Sequence, residues 1–284
     1  MEYASKAVEN GGTCIGIRCS NGIVLATEKL ILSKLLKPHA NKRIATIDRK
    51  IGLVSAGMIP DARHLANTAR SEAQSWRNSY KTPIPTHVLA SRIGSYVQSY
   101  TLQSGLRPFG VSTIIGGVDP VAAAPLDGIV GSGPKAALKT AAPAPAVSRR
   151  PGEYTGGPYL FMVEPSGAYW GYYGTATGKG RQIAKSELEK LNLHEGKLTV
   201  QAAVREAARI IHMAHEDSKD KEFELEMTWC SDIDGPTKGR HEEVPRAMLE
   251  QAEKEAKRAI EGEDEEEDEE DDVEPVEDEN RMQE

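Results

Sequence analysis

Seven histidines and three cysteines are the residues of this 284-residue chain best suited to metal or nucleophilic chemistry. His212 and His215 stand at i, i+3 on one helical face with Glu216 beside them, which could begin a metal site. No second ligand cluster completes it, and a solvated helix face is the competing reading. Cys14, Cys19 and Cys230 are scattered, odd in number and without metal-ligand spacing, so they read as reduced thiols. The run Thr175-Ala-Thr-Gly-Lys-Gly-Arg181 resembles a phosphate loop, because backbone N–H groups at a helix start can hold an anion. Its spacing matches neither GxxxxGK[ST] nor GxGxxG, which leaves a plain strand-to-helix turn as the alternative. Gly57-Met-Ile-Pro-Asp-Ala-Arg63 reads as a turn and a helix start, with Asp61 at the positive end of the helix. These residues define no active site, and no cofactor or metal is expected.

The elements that must position them follow from periodicity. Thr13 to Arg18 and Ile23 to Glu28 read as strands joined by Ser20-Asn-Gly22, a strong hairpin signal. Arg43 to Ile47 and Lys50 to Ala56 form a second pair. Pro60 suits the first turn of a helix carrying Leu65, Ala69, Ala73 and Trp76 on one face. Pro85 opens another, with Leu89, Ile93, Val97 and Tyr100 aligned. Val111 to Val118 is an apolar strand, and Tyr159 to Glu164 with Ala168 to Tyr173 is a hairpin across Pro165-Ser-Gly167. Helices are expected over Lys179 to Leu191 and along Val200, Val204, Ala207, Ile211 and Ala214. A strand over Phe223 to Trp229 and a helix over Val244 to Ile260 end the pattern. Strands in runs, then helices in runs, predict an α+β fold of two sheets faced by helix pairs, a four-layer αββα sandwich.

Composition divides the chain further. Residues 1–119 and 158–260 read as one domain interrupted by an Ala/Pro/Gly-rich segment, 120–157, which offers little to bury and is expected to be disordered. Residues 261–284 carry 16 acidic residues against the single Arg281, a run that repels itself and is expected to stay solvated and disordered. The body is therefore mildly basic, with no arginine or lysine stripe of the kind that binds nucleic acid. No stretch approaches the roughly 18 apolar residues of a membrane span, and Met1 to Asn10 lacks the apolar core of a secretory signal.

Five blocks carry a resemblance: Lys6-Ala-Val-Glu-Asn-Gly11, Gly57 to Arg63, Arg107-Pro-Phe-Gly110, Glu164-Pro-Ser-Gly167 and Ala176-Thr-Gly-Lys-Gly180. Together they resemble signatures of proteasome alpha-type subunits. Tyr80-Lys-Thr-Pro-Ile-Pro85, Val111 to Asp119 and Ala214-His-Glu-Asp217 resemble the branch at the seventh position of the alpha ring. The resemblance implies an N-terminal nucleophile hydrolase-like sandwich without a nucleophile. It implies partners among other alpha-type and beta-type subunits and regulatory caps, a role in assembly, gating and ubiquitin-dependent degradation, and a place in cytoplasm and nucleus. Active beta-type subunits attack with an N-terminal threonine whose freed amine serves as base. Aligned on Asn10-Gly11, the nucleophile position is Gly12, the supporting aspartate falls at Glu28 and the supporting arginine at Leu30. The activating lysine falls at Arg43, which keeps its proton too firmly to act as a base. In alpha subunits the same position receives the C-terminal carboxylate of activator tails, so Arg43, with Lys42 beside it, is the expected docking site. A solvated strand-edge charge is the competing reading.

The family also carries a gate-forming segment ahead of the block that begins here at Glu2, and joins the equivalents of Asp119 and Pro158 by a short turn. Either the reading frame begins late or this form cannot contribute to the closed gate; the 120–157 segment either loops out or is translated intron. Two other functions fit less of the chain: an active threonine protease of this fold, against which Gly12 speaks, and an acidic-tailed binding module outside any proteasome.

Overall fold

The structure, a computed structural model, describes residues 1–31, 33, 35, 37, 41–120, 156–216 and 222–271, with side chains as far as residue 260. It opens with α1 (Glu2–Glu9), which the sequence reading did not anticipate because only Ala4 and Val8 mark its buried face. Then follow β1 (Cys14–Arg18), β2 (Gly22–Leu30), β3 (Ile44–Asp48), β4 (Ile51–Gly57), α2 (Ile59–Tyr80) and α3 (Thr86–Leu102). The chain continues through β5 (Val111–Asp119), β6 (Gly157–Val163), β7 (Tyr169–Gly171), β8 (Gly174–Thr177), α4 (Arg181–Lys190) and α5 (Val200–Glu216). It ends with β9 (Phe223–Ser231), β10 (His241–Glu243) and α6 (Arg246–Asp271).

Two five-stranded antiparallel sheets result, ordered β10-β9-β2-β1-β8 and β3-β4-β5-β6-β7. Strand side chains alternate between faces, so each sheet feeds two apolar layers. Ile23 and Leu25 of β2, Val54 of β4, Ile114 of β5 and Leu160 and Met162 of β6 meet between the sheets. The opposite residues, Val24 and Ala26 with Ile15 and Ile17, pack under α4, α5 and α6. Ile51, Leu53 and Ile115 pack under α2 and α3. Each buried Ile or Leu contributes about 1.5–3 kcal/mol relative to exposure, and the three layers together are the expected αββα sandwich.

Two boundaries differ from expectation. The strand read as Ala168 to Tyr173 is divided: β7 closes one sheet, and Tyr173 already accepts the Arg18 N–H of the other. β8 then pairs with β1, so the chain changes sheets within three residues. The helix expected to end at Ile260 runs on to Asp271, through a glutamate-rich stretch whose residues are good helix formers. Asp119 pairs with Gly157 across the β5–β6 ladder, so the intervening segment leaves and rejoins the sandwich at one rung. Residues 121–155 and 272–284, on which most of the two disorder expectations fall, lie outside the described residues.

Candidate functional site

Four of the five signature blocks converge at one end of the sandwich. The Lys179 N–H donates to Gly11 O at 3.0 Å, and the Gly180 N–H donates to Thr13 Oγ1 at 3.0 Å. The glycine run is therefore a strand-to-helix turn, two of whose amides are already given to its own chain. Gly57, at φ +117°, lies where a side chain would meet Gly110 O at 2.3 Å. The Met58 N–H closes that approach by donating to Gly110 O at 2.9 Å. Asp61 takes both guanidinium nitrogens of Arg107 at 2.7 Å and the Gly110 N–H at 2.9 Å, so two signature blocks are joined by one carboxylate. Arg107 holds the Asp61 carboxyl below the usual carboxylate range.

At Gly12 the chain is continuous with α1 and half-buried, and the next residue, Thr13, is closed to solvent. Thr13 donates both its N–H, at 2.7 Å, and its hydroxyl, at 2.9 Å, to Glu28 Oε1. The second Glu28 oxygen lies 3.2 Å from His215 Nδ1. Thr13 and Glu28 are both buried, which leaves no approach for a substrate to the hydroxyl. A side chain added at Gly12 would meet Glu28 O at 2.6 Å.

His215 and its neighbour His212 do face together, but both pack against the Phe223 ring. Burial lowers the His212 pKa to about 4. Among the described residues no group of three or more His, Cys, Asp or Glu is placed to hold a metal. The three cysteines are free and buried, and burial pushes each thiol up to about 12, far from the reactive thiolate.

Arg43 lies next to the Gly57–Arg63 block, at the edge where β3 of one sheet meets β10 of the other. The two strands border a cavity of about 500 Å³ that Lys42, Arg43, Arg63 and Arg70 line with positive charge. Arg43 Nη1 donates to Gly57 O at 2.8 Å, tying the guanidinium back to the signature end. Lys42 pairs with the Glu243 carboxylate, which raises its pKa. Arg70 Nε donates to Thr46 O at 2.9 Å. The wall opposite is His241, whose Nδ1 and Nε2 hydrogen-bond Thr46 Oγ1 at 2.8 Å and Thr228 Oγ1 at 2.9 Å. Burial lowers its pKa to about 4, so the ring is neutral near pH 7. Glu226 completes the site and is raised by burial, against the pull of the Arg43 and Ile44 amides. The arrangement can receive an anion. Sequence reasoning named Arg43 and Lys42; Glu226, His241 and Glu243 beside them lie about two hundred residues away and carry no local signal.

Comparison with known proteins supplies a family. Residues 8–142 and 152–230 match the family described as proteasome subunit. The chain is 48% identical to the probable proteasome subunit alpha type-7 of Saccharomyces cerevisiae, over 93% of this chain and 79% of the relative. It is 44% identical to the protein of the same description in Schizosaccharomyces pombe, covering 93% and 88%. It is 43% identical to proteasome subunit alpha type-3 of Acanthamoeba castellanii, covering 93% and 89%.

Proposed function

Since this chain belongs to the proteasome subunit family, as an alpha-type, non-catalytic member of the core ring, we propose that its Arg43 cavity docks regulatory caps by their C-terminal carboxylates. Membership places it in ubiquitin-dependent protein degradation and makes other proteasome subunits its partners. The observation that carries the docking reading is the cavity itself, with four cationic side chains on its lining. A guanidinium can take both oxygens of a carboxylate, so arginine in place of lysine keeps the role. Lys42 is the second contact, and the cap is the partner.

The absence of catalysis in this chain rests on Gly12. Glycine offers no nucleophile there, and a side chain at that position would come within 2.6 Å of Glu28 O. Thr13, one position on, commits its amide nitrogen and its hydroxyl to Glu28. Three buried thiols held in reduced form fit a cytoplasmic and nuclear protein, which is our reading of its location. The direct Asp119–Gly157 pairing supports reading 1–119 and 158–260 as one domain with an insertion at a hairpin end, Gly157 itself being the first residue of β6, and 261–284 as a tail.

The test is Arg43→Ala in assembled core particles. Activator binding should weaken, with the larger loss at low salt, where charge attraction reaches furthest. Unchanged affinity at low salt would reject the assignment.

A further inference from the structure

The Arg43 cavity contains a carboxylate whose placement is unusual. Alternation along β9 turns Leu225 and Met227 to the helix layer and Glu226 into the gap between the sheets, where an acid must be paired to be tolerated. The cations that act on Glu226 are Lys29 and Lys42, yet its hydrogen bonds go to backbone. Glu226 Oε2 accepts the Arg43 N–H at 2.8 Å, and Oε1 accepts the Ile44 N–H at 3.3 Å. These two amides begin β3, so a residue of one sheet fixes where an edge strand of the other sheet starts. The guanidinium is anchored separately, by Nη1 on Gly57 O. Among the described residues no carboxylate forms an ion pair with it.

We infer that Glu226 is the positioning residue of the docking site: it holds the backbone of Arg43 across the sheet gap without consuming the charge of the side chain. The inference rests on the docking reading and adds to it a residue that never touches the ligand. It also makes an unusual demand of sign. Glu226 is an anion beside an anion site, so removing its charge should by itself favour an incoming carboxylate. A loss of affinity on its removal therefore reports lost position.

The probe is a short peptide with a photo-crosslinking side chain and a free α-carboxylate, against the same peptide as its C-terminal amide. Labelling of this chain is measured in assembled core particles. Wild type should label more strongly with the acid than with the amide, and Arg43→Ala should remove that preference. Glu226→Ala should weaken binding of the acid about threefold or more, within the range of direct side-chain couplings. Glu226→Gln, which keeps one acceptor oxygen and the size, should fall between, and it carries the test if the alanine variant does not assemble. In an Arg43→Ala background neither Glu226 change should weaken binding further. Tighter binding by Glu226→Gln, or an equal loss with and without Arg43, would overturn the inference while leaving the docking reading intact. Equal labelling by acid and amide in wild type would instead sink the docking reading.

Discussion

Asp61 and Asp119 both sit at helix starts, and their surroundings push them in opposite directions. Asp61 is held ionised by Arg107, so its contribution to stability is present at neutral pH and is lost as pH falls through its lowered pKa. Asp119 accepts the N–H and the hydroxyl of Thr86 at the start of α3, at 2.9 and 2.8 Å. Burial nevertheless raises it to about 6, against the pull of Thr86 and of Lys50 on the β3–β4 turn. A raised pKa stabilises the fold fully below the unfolded value, and that stability is lost as pH rises through the folded one. Wild type should therefore gain on Asp119→Asn by up to about 3 kcal/mol as pH falls from above 6 to well below 4, the energy that separates its folded and unfolded proton affinities. Denaturation of both proteins across that range measures it; parallel stability curves would mean that Asp119 titrates normally. Asp61 was legible as a helix-start acid. Neither its Arg107 partner nor the burial of Asp119 could be read from local sequence, because both depend on residues more than thirty positions away.

Among the elements, those with large apolar stripes were legible and the short ones were not. Leu65, Ala69 and Ala73 predicted α2, and Leu89, Ile93 and Val97 predicted α3, because a helix that buries one face must show it every three or four residues. Gly174–Thr177 shows no such pattern: its Thr-Ala-Thr is small, and only pairing with β1 makes it a strand. His241–Glu243 reads as charged loop, and only the β9 ladder makes it β10. The most consequential element-level fact is the Asp119–Gly157 rung. Replacing residues 120–156 by a short turn should preserve entry into particles and leave the unfolding temperature equal or higher. Loop closure costs only about 0.6 kcal/mol per doubling of length, so the native segment weighs little in either direction. A shortened chain left out of purified particles would reveal a contact made by the segment itself.

For the whole molecule, the resemblance carried the reading furthest. Periodicity alone reached a layered sandwich with no active site; the signature blocks supplied a family, and the structure explains why they travel together. Residues 6–11, 57–63, 107–110 and 176–180 are separate in sequence and adjacent at one end of the fold. The Arg43 cavity, at the β3–β10 edge, lies in no single block. Charge is likewise divided, with a mildly basic body ahead of an acidic terminal run.

His241 gives this body a mechanical property. One uncharged ring bonded to Thr46 on one sheet and Thr228 on the other acts as a rivet that resists sliding of the two plates at that edge. The fit is tight enough that a side chain at Gly52 would come within 2.1 Å of the ring. A load applied at the cavity mouth should therefore be shared by both plates. Deuterium uptake should slow together in β4 and β9 when a cap is bound, and the two responses should separate in His241→Ala. Independent responses in wild type would mean that the ring fills space and transmits nothing.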